Sequence, residues 1–69
     1  MQIIKVRFLK SGIPFGRNYT YYSEHPVSIG DTVKVNEQAL GLVVDIDVPE
    51  EEIEGFRDKV KFVHGKVEE

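Results

Sequence analysis

Between Ser28 and Val48 the chain alternates apolar and polar residues around two tight turns, and little but a β-sheet accommodates that pattern. Val33 and Val35 point one way, and Thr32, Lys34 and Asn36 the other. This is the period of two that sends successive side chains to opposite faces of a strand. Ile29-Gly30-Asp31 reads as a tight turn leading into it, and Asn36-Glu37-Gln38-Ala39 as a polar turn leading out. Leu40 to Val48 is the strongest strand of the chain. The pattern puts Leu42, Val44, Ile46 and Val48 on one face and Val43, Asp45 and Asp47 on the other.

The flanking segments extend the same theme. In residues 2–10, Ile4, Val6 and Phe8 fall on one side and Lys5 and Arg7 on the other, a first strand. Residues 11–16 contain two glycines and a proline and read as a loop. Asn18 to Ser23, with Tyr19, Thr20, Tyr21 and Tyr22, reads as a second strand antiparallel to the first. Glu24 to Ser28 is extended and irregular, because Pro26 removes a ladder donor and restricts His25.

After Val48, residues 49–54 read as a single helical turn. Proline suits its first position, the glutamates suit its positive end, and Gly55 can end it. Ile53 and Phe56, three apart, can cap the core. Lys59 to Val63 reads as a last short strand with Val60 and Phe62 inward and Lys59 and Lys61 outward. Val67-Glu68-Glu69 is expected to fray.

Five short strands and one helical turn give a mostly-β chain. A flat sheet of this size leaves edges and an open face, and closure into a small barrel covers both. The expectation is a single domain over residues 1–69, an SH3-like or OB-like five-stranded barrel. The short turns at Gly30-Asp31 and Asn36–Ala39 favour the SH3-like form. A chain of 69 residues buries only about 60% of the surface its unfolded form exposes. It contains no cysteine, which excludes disulfides and thiolate metal sites and fits a reducing cytoplasm. No apolar run approaches a membrane span, and Met1-Gln2-Ile3-Ile4-Lys5 lacks the features of a signal peptide. A cytoplasmic location without membrane contact is expected.

Chemistry-bearing residues point away from catalysis. His25 and His64 are isolated in sequence, with no nucleophile triad or metal-ligand spacing around them. Gly12 and Gly16 match no phosphate-binding loop. Asp45, Asp47, Glu50, Glu51, Glu52 and Glu54 lack the converging spacing of a Ca²⁺ site and read as a solvated face. No catalytic residue, metal or cofactor is expected.

Charge is uneven. Residues 1–22 contain Lys5, Arg7, Lys10 and Arg17 and no acid; residues 23–69 contain five bases and twelve acids. Lys5, Arg7, Lys10 and Arg17, with Tyr19 and Tyr21 on one strand face, form a basic and aromatic set suited to phosphates and bases. The alternative is a protein-interaction module using residues 12–22, with Ile13, Phe15 and Tyr22 as anchors, or a small homo-oligomer through the same loop.

The stretch Tyr19-Thr20-Tyr21-Tyr22, then Val27-Ser28-Ile29-Gly30-Asp31-Thr32-Val33-Lys34-Val35, then Leu40-Gly41-Leu42-Val43-Val44 resembles the N-terminal DNA-binding domain of the primosomal helicase PriA. It is also similar to the glycine-turn pattern of KOW-type and other SH3-like barrels. The resemblance covers residues 19–48. It implies a barrel and a DNA-binding role in a replication or prophage context, in the company of uncharacterised small bacterial and prophage proteins. The helicase pattern has Pro-Phe-Gly where this chain has Asn36-Glu37-Gln38. The helicase domains are lacking, so the resemblance implies no ATP-driven activity.

Overall fold

A computed structural model describes residues 1–67. Among the described residues six strands, rather than five, form one sheet: β1 Gln2–Lys10, β2 Ile13–Ser23, β3 Thr32–Asn36, β4 Ala39–Asp45, β5 Lys61–Phe62 and β6 Gly65–Lys66, in the order β5-β2-β1-β4-β3-β6. The turn expected at 49–54 is a 3₁₀ turn over Glu50–Ile53, preceded by Pro49, and a second 3₁₀ turn covers Arg57–Lys59. Glu54, not Gly55, ends the first. Among the described residues no helix is long and apolar enough to cross a membrane.

The segment expected to be a loop at 11–16 is instead most of a hairpin. Only Ser11 and Gly12 turn, with φ of 53° and 79°, the pair of positive values that a two-residue hairpin requires. Pro14 fits because β2 has no second neighbour there among the described residues, so no ladder donor is missed. Asn18 opposes Arg7 whereas Phe15 opposes Phe8, so Gly16 and Arg17 are surplus and form a bulge. Gly16, with φ 76°, takes the backbone conformation that side chains resist.

A second bulge corrects the face assignment in β4. Lys5 opposes Asp45 and Val6 opposes Val43, leaving Val44 without a partner. Before the bulge, Gly41 and Val43 face the core; Leu42 and Val44 are only half-buried. Beyond it Ile46 returns to the core, as expected. One surplus residue exchanges the two faces of a period-two pattern.

Two apolar clusters flank the sheet. The main one gathers Ile4, Val6, Val27, Val33, Val35, Val43 and Val63, with Phe8, Tyr21, Ala39 and Ile46 against it. The smaller one lies across β1, where Ile3 packs with Val48 and Ile53 beside Tyr22 and Val60. The 3₁₀ segment thus covers the start of β1 on its outer face. Burying each Val or Ile fully is worth about 1.5–3 kcal/mol.

The last strand is displaced from its expected span of Lys59 to Val63. Lys61–Phe62 pairs in parallel with β2, and Gly65–Lys66 pairs antiparallel with β3, at the opposite end of the sheet order. Only Val63 and His64 separate them. Three residue steps span at most about 10 Å, so the sheet is curled until its edges nearly meet. Val63 N–H donates to Tyr22 O and His64 N–H to Lys34 O, at 2.9 and 2.7 Å. Val63 is buried in the gap, and Phe62, expected inward, is exposed. Val67, expected to fray, donates its N–H to Thr32 O at 2.9 Å; Glu68 and Glu69 lie outside the described residues.

Candidate functional site

The sheet splits the basic and aromatic set. Lys5 and Arg7 pair across the strands with Thr20 and Asn18, whereas Tyr19 and Tyr21 pair with Val6 and Ile4. Directly opposed residues share a face, so both tyrosines lie on the core side and the two cations on the outside. Lys5 is engaged, with its Nζ 3.3 Å from Glu52 Oε1. Arg7 donates from Nη2 to Gly16 O at 2.7 Å, which braces the bulge. Tyr19 stacks on Phe8, with centroids 4.9 Å apart and planes 17° from parallel. Tyr21 packs against the main core. Burial, and secondarily Tyr19, pushes its hydroxyl above the usual tyrosine pKa.

The remaining residues cluster on the hairpin end. The Lys10 ammonium lies 5.9 Å from the Phe15 ring centroid. Arg17 stands exposed at the bulge. Ile13 and Phe15 are 66% and 47% exposed. Tyr22 is apart from them, in the smaller cluster, with its ring 5.2 Å from Phe62.

A different constellation forms along the outer edge of β2. Because β5 pairs only with Tyr21 and Tyr22, the edge from Ile13 to Thr20 has no neighbouring strand among the described residues. The chain between Phe56 and Lys61 stands off from it and leaves an open groove of about 470 Å³. Asn18, Tyr19, Thr20 and Tyr21 form one wall, and Phe56, Lys59, Val60 and Lys61 the other. The lining contains three aromatic rings and two lysines and no acid. Phe56, expected to cap the core, is instead an exposed ring of this wall. Lys59 and Lys61 are exposed, but Lys61 pairs beside Tyr21 and so lies on the core side of the sheet, not on the outward face that alternation gave it. Their meeting with Tyr19 was not legible either, since it depends on the edge pairing of β5, about forty residues along the chain.

The other titratable groups build no comparable site. Glu50 reaches Arg57 at 3.8 Å, a surface pair of little energetic weight. His25 and His64 border an open cavity of about 590 Å³ with Pro26, Gly65 and Lys66, which holds one cation and no aromatic ring besides the imidazoles. Among the described residues no three His, Asp or Glu side chains converge as metal ligands would.

No family model, no curated protein and no solved structure matches the chain.

Proposed function

We propose that this protein is a non-catalytic binding module on a small SH3-like barrel, taking a single-stranded nucleic-acid segment into the groove beside β2. The observation that carries this reading is the groove's lining, in which Tyr19, Tyr21 and Phe56 stand with Lys59 and Lys61 and with no acid. Rings accept bases whatever their sequence, at about 1–3 kcal/mol per stacked base, while lysines neutralise phosphates. Asn18 and Thr20 add hydrogen-bonding groups without charge.

Support for the SH3-like form comes from the Gly30 turn, where φ is 96°, and from the curled sheet whose edges the segment 61–66 draws together. The resemblance of residues 19–48 to the helicase domain supports a replication or prophage setting in the cytoplasm. It also agrees with a DNA ligand.

The test is titration of a fluorescent single-stranded oligonucleotide by anisotropy. Two lysine contacts give a salt slope of about −1.4, so raising salt fourfold weakens binding about sevenfold. Phe56→Ala and Lys59→Ala/Lys61→Ala each weaken it further. Absence of binding at low salt, or binding untouched by these substitutions, overturns the reading.

A further inference from the structure

The far end of the β1–β2 hairpin stands free of the rest of the sheet. β4 meets β1 only across Lys5–Phe8, and β5 meets β2 only at Tyr21 and Tyr22. From Leu9 to the turn the two strands pair, among the described residues, only with each other, an arm reaching about 7 Å at 3.3 Å per residue. Two features make it rigid. Its turn is the tight Ser11-Gly12 pair, and the Arg7 guanidinium holds the bulge at its root through Gly16 O.

The arm's chemistry is that of a wedge for a polyanion. Ile13 and Phe15 share its inner side with Lys10, and both are exposed, Phe15 opposite Phe8 at the root and Ile13 beside the turn. Lys10 and Arg17 flank these side chains, and residues 1–22 contain no acid. Asp45 opposes Lys5 and the Glu50–Ile53 turn packs over Ile3, away from the arm, while Glu37 of the β3–β4 turn lies at the arm's end of β1. Lys10 and Arg17 give the arm a local positive charge that attracts a polyanion. Addition of a partner strand to this edge is disfavoured. Pro14 has no N–H to give, and the Gly16-Arg17 bulge breaks the ladder.

We infer that the arm binds duplex DNA by entering the minor groove, with Ile13 and Phe15 wedged at a base step and Lys10 and Arg17 on the flanking phosphates. Apolar side chains inserted in this way unstack a step and bend the duplex by about 20–90°. This surface is separate from the groove beside β2 and does not depend on it.

The experiment uses the full chain and a duplex of about 20 base pairs carrying a fluorophore at each end, at about 50 mM salt. Energy transfer between the ends is expected to rise with wild-type protein. Ile13→Ser/Phe15→Ser, both exposed sites, is expected to keep the fold by circular dichroism. It should also keep single-strand binding, yet lose the bend and bind duplex about tenfold more weakly. Lys10→Ala/Arg17→Ala weakens duplex binding and flattens its salt dependence, while Lys59→Ala/Lys61→Ala leaves the bend intact. Absence of any change in energy transfer at saturating protein overturns the proposal. So does a bend that survives Ile13→Ser/Phe15→Ser. So does sedimentation showing a wild-type dimer that this variant turns into a monomer, since the apolar patch would then serve a second copy of the chain.

Discussion

Gly41 faces Val35 at a distance that leaves a side chain only a tight fit. A Cβ on Gly41 would lie 3.1 Å from Val35 Cγ1 and 3.3 Å from Val6 Cβ. The glycine lets β4 close over two core valines. Gly41→Ala is therefore expected to cost about 1–3 kcal/mol through overpacking, measured as a lower urea midpoint. Combined with Val35→Ala, which removes the obstructing methyl, it should cost less than the two single changes together.

The bulge at Val44 makes neighbouring valines unequal. Val43 is 1% exposed and Val44 only half-buried. Val43→Ala is expected to lose about 2 kcal/mol and Val44→Ala well under half of that. Equal losses in chemical denaturation would place the bulge elsewhere.

Stability should fall at both extremes of pH. Ser28 N–H donates to the Asp31 carboxylate at 2.8 Å and Lys66 stands 3.4 Å away. Chiefly through the Ser28 bond, these hold Asp31 below its ordinary pKa of 3.8. A depressed folded pKa gives stability that is present above the unfolded value and lost as pH falls through the folded one. Urea midpoints from about pH 6 to about pH 2.5 should therefore drop more for wild type than for Asp31→Asn. Tyr21 has the opposite sign. Its pKa is raised above 10.0 chiefly by burial, so its contribution is present below that value and lost as pH rises through the folded pKa. Tyr21→Phe should blunt the alkaline loss.

The segment joining the sheet edges should matter out of proportion to its length. Val63 is buried in the main cluster between β5 and β6. Val63→Ala is expected to lose about 2 kcal/mol. Val63→Asp, which buries a charge without a partner, should abolish the cooperative transition of so small a domain.

Which parts of this structure were legible in the sequence follows from how far each determinant reaches along the chain. Ile4, Val6 and Phe8 alternate within one strand, and their inward face is where the pattern put it. So is that of Val33 and Val35, because a glycine turn fixes where their strand begins. The hairpin was hidden because Gly12, Pro14 and Gly16 resemble loop punctuation. They are in fact a turn residue, an edge proline and a bulge, and only the pairing with β1 tells these apart. Val44 is the same case, since its bulge is set by Lys5 and Val6 on another strand. For the site, the tyrosines were visible, but their cations were sought on the neighbouring first strand and the loop joining it to theirs. Lys5 and Arg7 lie across the sheet from them, and Lys59 and Lys61 reach them through β5.

The groove reading is tested most directly by mapping amide shifts on addition of a short single-stranded DNA at low salt. Shifts are expected along Asn18–Tyr21 and Phe56–Lys61, fading as salt rises, while Lys5 and its partner Glu52 stay still. Unmoved amides along both walls of the groove, or shifts centred on Lys5 and Glu52, would contradict it.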